Sequence, residues 1–419
     1  MDWSLTPRQV ELVDRARRLT VERIAPRADK HDREASFPFE DFQDLYDAGL
    51  LALCVPEAYG GEGADFETYC LVAEQIAQGN AATALCYNMH STTMLKMGEV
   101  ADRMPLSAEA RVVHEQRRAR LFREVVRRGV VYGQPHSEPV EQGPADEVKA
   151  GGRRFGTRAE QAPGGYVVNG RKFFVSLAGA ADYFATPVLL VGPGPWIDRT
   201  LYLAIPKDAP GVDFQGEWDP MGMRGTVSRD MVLTNVFVPD EASILPPGVF
   251  GAAHNAWPHG ALSFSATFLG LMQAAYDFTI AYLTGRVPGA PGMPTEVPAK
   301  GYGVAQMLFA LEAARALFYR AIGEAHVYPS KAAEQRARAA HVTIQRSVVE
   351  LTAEAVRICG GRAMLRRYPL ERYARDAHAA AVMRPWTQDI ATQQAWEIEL
   401  GLEPPAAPAR EESTENRAC

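Results

Sequence analysis

The spacing of apolar residues changes twice along this chain, and each change restricts the possible folds. Up to about residue 130, apolar side chains recur every three or four positions, which is the period of an amphipathic α-helix. Between about residues 130 and 243 the period becomes two, as in β-strands, and from about residue 251 to 400 it is helical again. The pattern predicts an α+β multidomain fold with an N-terminal all-α domain, a small middle β-barrel or sandwich, and a C-terminal four-helix-bundle-like domain.

Local signals predict where several elements begin and end. Thr6, Pro7 and Gln9 have the spacing of a capping box with proline at the first helical position, and this helix is predicted to end at Pro26. The Asn-Gly dipeptide at residues 169–170 lies between two apolar runs and predicts a type I′ hairpin turn, since both positions tolerate positive φ. Further helices are predicted near residues 39–50, 65–78, 81–97 and 108–128.

The domain boundaries are expected where the period changes. The predicted domains are residues 1–129, 130–245 and 246–402. The last segment, residues 403–419, is rich in Pro, Ala and Glu and has no apolar anchor, so we expect it to be disordered.

Composition and charge restrict the compartment and the partners. With 419 residues and a net charge of -7, the chain offers no basic surface for nucleic acid or an anionic membrane. No stretch approaches the roughly 20 apolar residues of a membrane span, and the N-terminus lacks the features of a signal peptide. The five cysteines show no CxxC pairing, which predicts buried, reduced thiols. We therefore expect a cytoplasmic protein.

Several short motifs follow one another in a recognisable order. They are Val-Pro-Glu-Ala-Tyr-Gly-Gly-Glu-Gly at 55–63, Ser-Glu-Pro at 137–139, Asn-Gly-Arg-Lys-Phe-Phe-Val-Ser at 169–176, Gly-Met-Arg-Gly-Thr-Val-Ser at 222–228, Leu-Gly-Leu-Met-Gln-Ala at 269–274, Gly-Gly at 360–361 and Arg-Asp at 375–376. Together they resemble the acyl-CoA dehydrogenase superfamily of flavoproteins, over about residues 5–401. The resemblance implies that family's three-domain fold, and we expect the Arg-Asp pair to be a structural ion pair.

The resemblance also implies a cofactor, FAD, between the middle domain and the C-terminal helices. Ser137 and Ser176 would then form hydrogen bonds with the edge of the flavin ring, and Phe174 would stack on the isoalloxazine. From the residues alone, Phe174 could equally be an inward-facing strand aromatic.

Further cofactor contacts are implied near the C-terminus. Gly360 and Gly361 would let the backbone approach the adenosine portion, although the pair could also be a helix cap and turn. Arg286, placed at the end of a helix over residues 277–286, would pair with the pyrophosphate of a neighbouring subunit, and Gln388 is carried over as a cofactor-binding residue. A homo-oligomer, either a dimer or a tetramer, is therefore expected.

The chain departs from the family where a catalytic base is needed. Dehydrogenation of an acyl thioester requires a carboxylate to remove the α-proton. An ungapped count from the Arg-Asp pair reaches Arg384, which stays protonated, and the alternative position on the long helix is Gly260, preceded by His259. Arg384 is thus either a residue with altered chemistry, which we take as the catalytic candidate, or a salt-bridged residue at a helix end.

Four functions remain open. The favoured one is a flavin-dependent monooxygenase or oxidase that uses O2 and receives electrons from a flavin reductase or an electron-transfer flavoprotein, as in relatives that lack the base. A second is a decarboxylating enzyme for a β-keto acid, in which Arg384 anchors the departing carboxylate. A third is an acyl-CoA or acyl-carrier-protein dehydrogenase whose base lies across an alignment gap. The fourth is a non-catalytic binding protein.

The substrate, a small molecule or a thioester, is expected between the first helices and the flavin. The resemblance implies a pocket lined by five residues, each of which could alternatively belong to the core: Tyr87, His90, His259, Gly260 and Trp386.

Overall fold

The computed structural model describes residues 5–138, 156–292, 297–383 and 386–402. The catalytic candidate Arg384, its neighbour Pro385 and the predicted tail at 403–419 lie outside the described residues. Within the described ranges, no helix is both long and apolar enough to cross a bilayer. Four of the cysteines, at positions 54, 70, 86 and 359, are buried and unpaired, as predicted.

The N-terminal part of the chain is helical, as its period predicts. Its α-helices are α1 (Pro7–Leu19), α2 (Ala25–Glu34), α3 (Phe39–Asp47), α4 (Phe66–Gly79), α5 (Ala81–Leu95) and α6 (Ala108–Arg128). The predicted capping box at the start of α1 is confirmed: Gln9 N donates to Thr6 Oγ1 at 3.2 Å, and Thr6 N donates to Gln9 Oε1 at 2.9 Å. Helix α5 is buried along its whole length and forms the centre of this layer.

The prediction that the first helix ends at Pro26 is wrong. A π-helical segment, Thr20–Ile24, follows α1, and α2 then continues through the proline. Pro26 lies in the first turn of α2, directly after Ala25, whose N–H donates to Thr20 O and closes the π-helical segment. The chain therefore stays helical up to Glu34.

The middle of the chain forms one eight-stranded sheet. Its strands are β1 (Tyr132–Gly133), β2 (Arg158–Ala162), β3 (Gly165–Val175), β4 (Tyr183–Leu190), β5 (Thr200–Pro206), β6 (Val212–Gln215), β7 (Arg229–Pro239) and β8 (Ser243–Leu245). The order is β6-β7-β3-β2-β4-β5-β8, with β1 paired to β4. The pairings of β1 and β2 with β4 are parallel, and the others are antiparallel.

The predicted hairpin turn at residues 169–170 is also wrong. Strand β3 runs straight through the Asn-Gly dipeptide, where the register against β7 shifts, and the hairpin between β2 and β3 turns at residues 163–164 instead. The Asn169 side chain accepts from Asn235 N at 2.7 Å and donates to Asn235 Oδ1 at 3.1 Å. A Cβ on Gly170 would lie 2.6 Å from Thr157, so glycine is needed here for close packing rather than for a turn.

The last part of the chain returns to helices. These are α7 (Val249–Ala256), α8 (Ser263–Leu283), α9 (Pro298–Gly323), α10 (Lys331–Cys359), α11 (Leu370–Ala377) and α12 (Gln388–Glu399). Helix α8 packs against α4 so closely at Gly270 that a side chain there would collide with the Glu74 carbonyl oxygen. The N-terminal and C-terminal helices therefore share one continuous core.

The Arg-Asp pair is structural, but its two members do not pair with each other. Arg375 binds both carboxylate oxygens of Asp32 on α2, at 2.6 and 2.9 Å. Asp376 accepts from Met223 N in the loop before β7, and burial raises the pKa of this carboxyl to about 6. The two residues thus hold three parts of the molecule together.

Candidate functional site

The structure brings together three of the residues expected to contact flavin. Phe173 N donates to Ser137 O at 2.8 Å, which places Ser137 beside the last residues of strand β3, next to Phe174. Ser176 follows the same strand, and its Oγ lies 2.8 Å from Ser228 Oγ. Ser137, Phe174 and Ser176 therefore lie at one end of β3.

Phe174 has an unusual backbone and an unusual exposure. Its φ is 50°, where the register between β3 and β7 shifts, and its side chain is 71% exposed. A bulky residue at positive φ is strained and persists only where the surrounding structure imposes it. Phe174 is therefore not an inward-facing strand aromatic. Its ring is presented to the outside of the sheet, as a stacking platform would be.

A buried ion pair lies beneath this end of β3. Lys172 is fully buried, forms an ion pair with Glu138, and donates to Pro187 O at 2.7 Å. Burial lowers the pKa of Lys172 to about 8, while Glu138 opposes that shift. The pair fixes the segment of Ser137 onto β3. Sequence reasoning missed this role, although both residues belong to the quoted motifs.

The expected adenosine and pyrophosphate contacts lie near one another at two helix ends. Gly360 caps α10 with φ 80°, and a Cβ on Gly360 or Gly361 would meet nothing within 4 Å. Arg286 was predicted to end a helix, but helix α8 ends at Leu283 and Arg286 follows it. The side chain of Arg286 is exposed. Tyr368, soon after the two glycines, donates to Pro288 O at 3.3 Å, which joins these two segments.

Side chains of α10 hold the backbone of Trp386 in place. Its carbonyl accepts hydrogen bonds at 2.8 Å from His341 Nε2 and from Gln345 Nε2, and the Arg338 guanidinium lies 5.1 Å from its ring centroid. The side chain of Trp386 is buried, and Gln388 begins α12 two residues later. His341 and Gln345 thus position the segment that adjoins Arg384. Their spacing of four residues on a buried helix face is the sequence signal that could have identified this pair.

Tyr87 and His90 are core residues whose polar atoms are occupied. Tyr87 Oη donates to Leu50 O at 2.6 Å. His90 Nε2 donates to Leu51 O at 2.8 Å while its Nδ1 accepts from Tyr132 N at 3.2 Å, and burial lowers its pKa to about 4. Both side chains hold the backbone that surrounds α5, and their contacts give them structural roles.

His259 and Gly260 lie on a 3-10 turn, Pro258–Leu262, before α8. His259 is fully buried, and neither ring nitrogen has a hydrogen-bond partner among the described residues. A Cβ on Gly260 would lie 2.9 Å from the ring of Trp257, which is itself buried. The second base position therefore has no room for a carboxylate side chain unless Trp257 moves.

Comparison with known proteins gives the family. Family models for the acyl-CoA dehydrogenase N-terminal, middle and C-terminal domains match residues 6–101, 150–236 and 262–384. "Putative acyl-CoA dehydrogenase YdbM" of Bacillus subtilis is 31% identical over 359 residues, which cover 84% of this chain and 87% of that protein. The 3-sulfinopropanoyl-CoA desulfinase of Paraburkholderia xenovorans is 26% identical, over 94% of this chain and 96% of the relative.

The solved structures show the same fold. FMN-bound TdsC of Paenibacillus sp. A11-2, a dibenzothiophene monooxygenase, superposes with a TM-score of 0.79 at 21% identity, over 94% of this chain and 98% of that one. The sequence match to YdbM and the order of the three family domains agree with this fold. The chain therefore belongs to the acyl-CoA dehydrogenase family of flavoproteins.

Proposed function

We propose that this protein is an FAD-dependent oxidoreductase that passes electrons from its flavin to O2, as a monooxygenase or an oxidase. The observation that carries the proposal is the second base position, where Trp257 fills the space beside Gly260. Bound flavin would supply the two-electron redox chemistry. The residues of the chain would bind the ring, orient the substrate and exclude water.

The residues at the end of β3 fit a flavin ring. The exposed Phe174 offers an apolar face of suitable shape, Ser137 pairs with the neighbouring Phe173, and Ser176 follows Phe174 by two residues. A planar ring stacks on an aromatic face, while hydroxyl groups satisfy its polar edge. Gly360 and Gly361 leave open space for a backbone contact with the adenosine portion.

Replacement of Phe174 tests this platform. We expect Phe174→Ala to weaken flavin binding by roughly 10-fold or more, because stacking on an aromatic side chain contributes about 1–3 kcal/mol per ring. Phe174→Trp should retain binding. The matched control is Phe237→Ala, which removes another exposed strand aromatic of the same sheet. Titration of the apoprotein with FAD, followed by flavin fluorescence, measures the affinities. Equal affinity of Phe174→Ala and wild type would exclude Phe174 as the residue that stacks on the flavin.

The described carboxylates near this site are already engaged. Glu138 pairs with Lys172 and also accepts from Thr157 N at 3.4 Å, while Asp376 accepts from Met223 N. Arg384, at the first base position by ungapped count, stays protonated at any working pH. Proton removal from a saturated thioester therefore has no acceptor among these groups, whereas the reaction of reduced flavin with oxygen requires no such acceptor.

Anaerobic mixing separates the two chemistries. We expect oxidised, flavin-loaded protein to keep its long-wavelength flavin absorbance when mixed with saturated acyl-CoA thioesters, and the chemically reduced protein to reoxidise in air. Bleaching by a simple saturated thioester would refute the proposal. Arg384→Glu provides a second arm, because a gain of thioester bleaching in this variant alone would show that the wild-type position lacks a base.

A decarboxylating reaction is the second candidate. The relative named 3-sulfinopropanoyl-CoA desulfinase acts, by its name, on a thioester with a second acidic group that is eliminated. Arg384 has the charge to hold such a group by bidentate hydrogen bonds. Carbon dioxide release from a β-keto acid under anaerobic conditions would favour this candidate over the first.

We also propose a homo-oligomer, a dimer or a tetramer, formed through the C-terminal helices. Tyr302 and Phe309 are separated by two turns on α9 and are 71% and 68% exposed, and Val382 is 72% exposed. Residues seven apart lie on the same face of a helix, and exposed large apolar side chains are typical of an interface. A separate flavin reductase or electron-transfer flavoprotein would supply the electrons.

A further inference from the structure

One lysine beside the candidate site forms no ion pair with any acidic residue that the structure describes. Lys96 lies where α5 passes into the π-helical segment Lys96–Val100, and such segments frequently occur at functional sites. Its Nζ donates to Gln134 Oε1 at 2.7 Å and lies 5.9 and 6.0 Å from the ring centroids of Tyr202 and Phe250. Among the described residues, no carboxylate forms an ion pair with it.

The neutral partner of this lysine is held in one orientation. Gln134 Nε2 donates to Met89 O at 2.6 Å, to Thr92 Oγ1 at 2.7 Å and to Thr93 Oγ1 at 2.8 Å. Because a backbone carbonyl can only accept, the amide nitrogen must face α5 and the amide oxygen must face Lys96. The fixed side chain of Gln134 therefore holds the Lys96 ammonium in one position.

The surroundings of the ammonium are apolar on its other side. The rings of Tyr202 on β5 and Phe250 on α7 stack on each other with centroids 4.4 Å apart. The other titratable group beside these rings is His136, whose ring centroid lies 6.0 Å from that of Tyr202 and 5.4 Å from that of Phe250. Burial lowers the pKa of Lys96 to about 7, which reflects a charge without compensation.

This cluster lies within reach of the proposed flavin edge. Gln134 precedes Ser137 by three residues, a separation of about 10 Å at most for an extended chain. A substrate that contacts the ring beside Ser137 can therefore extend a second group to Lys96.

We propose that Lys96 recognises a carboxylate group of the substrate. An anion at this place supplies the charge that the ammonium lacks, and a hydrogen bond to a charged group is stronger than one to a neutral group. The inference rests on the proposed function and specifies its substrate as an acid. Binding above neutral pH is then accompanied by uptake of a proton.

Matched acids and amides test the inference directly. The probes are benzoate, phenylacetate and hexanoate, each paired with its uncharged amide, and calorimetry measures their binding to the flavin-loaded protein at pH 6. We expect at least one acid to bind 10-fold or more tightly than its amide. Lys96→Met should remove that preference and change amide binding less than about 2-fold, since a charged hydrogen bond contributes roughly 10-fold or more. The control, Lys30→Met, removes an exposed lysine paired with Glu40.

The pH profile adds a readout that a purely structural role would not change. Acid affinity of the wild type should fall as the pH rises from 6 to 8, because Lys96 loses its proton in this range. The profile of Lys96→Met shows how much of the pH dependence comes from groups other than Lys96. Equal binding of acids and amides by wild type, or acid binding unchanged in Lys96→Met, would overturn the inference.

Two further measurements separate the alternatives. Flavin content equal in Lys96→Met and wild type excludes a role for Lys96 on a cofactor phosphate, and a loss of flavin in the variant would overturn the substrate assignment. If the variant does not fold, a second experiment measures the acetylation of Lys96 in the wild-type protein, with and without benzoate, by peptide mass spectrometry. Benzoate should protect Lys96 at least 5-fold and leave Lys30 unprotected, and absence of protection would overturn the proposal. Failure of the oxygen reaction would refute only the proposed function.

Discussion

Lys172→Met should lower the free energy of unfolding by about 3–5 kcal/mol, the usual loss when one partner of a buried ion pair is removed. Lys172 is fully buried and Glu138 nearly so, and the variant would leave the Glu138 carboxylate without its cation. Urea unfolding at pH 7.5 followed by circular dichroism measures the change. Flavin content should fall as well, because this pair fixes the segment of Ser137 to β3.

The controls follow from the geometry of the pair. Lys207→Met removes a partly exposed lysine 3.8 Å from Asp182 Oδ1 and should change stability by less than about 1 kcal/mol. Lys172→Met combined with Glu138→Gln should recover part of the loss, since the glutamine carries no charge to leave buried. A single variant as stable as the wild type would show that the ion pair does not hold this end of the sheet.

Acidification from pH 7 to pH 4.5 should destabilise the protein by several kcal/mol. Four buried histidines share one property, a pKa lowered to about 4 mainly by burial: His90, His114, His259 and His341. Between pH 6.5 and 4 the unfolded chain binds protons that the folded protein does not, so stability falls as the pH falls. Each histidine contributes at most about 3 kcal/mol at the acid end of this window.

Two buried carboxyl groups oppose the histidines. Burial raises the pKa of Asp41 and of Asp376 to about 6, so the folded protein keeps these protons at a pH where the unfolded chain has released them. Their contribution to stability therefore grows as the pH falls through 6, and it offsets roughly half of the histidine effect. The net result remains a loss, because four histidines have a pKa lowered to about 4 against two carboxyl groups with a pKa raised to about 6. Burial also raises the pKa of Glu67, Glu74 and Glu99, which adds to the offset.

His259→Leu isolates one share of this acid sensitivity. This histidine has no hydrogen bond to lose among the described residues. The variant should lose about 2 kcal/mol less stability than the wild type between pH 7 and pH 5, because one proton-binding group of the unfolded chain is gone. Urea unfolding at pH 7, 6 and 5 measures the difference, with His326→Asn as the exposed control. Parallel pH profiles would exclude His259 as a source of acid lability.

Features that local propensity does not reveal account for the two wrong predictions about secondary structure. The Asn-Gly dipeptide has strong turn propensity, yet Asn169 bonds to Asn235 on β7 and Thr157 packs against Gly170, and both partners are distant in sequence. Pro26 is a strong helix-end signal, yet a π-helical segment precedes it and makes it the start of the next helix. Local propensity is weaker than a set of buried tertiary contacts.

Some residues of the candidate site could be found from the sequence, and others only from the tertiary structure. The motifs identify Ser137, Phe174 and Ser176 because they are close in sequence or lie in recognisable strings. The roles of His341 and Gln345 beneath Trp386, and of Lys96 beside Gln134, depend on contacts between elements far apart in the chain. The sequence carries those residue types but not their partners.

By itself, the sequence determined the order of helical and β parts, the capped start of the first helix and the family motifs. These features depend on the period of apolar residues and on short strings, which need no knowledge of distant neighbours. Only the tertiary structure decided that Phe174 faces outward, that Tyr87 and His90 are core residues, and that Trp257 fills the space at Gly260. Burial and side-chain orientation arise from packing between elements, which local sequence does not specify.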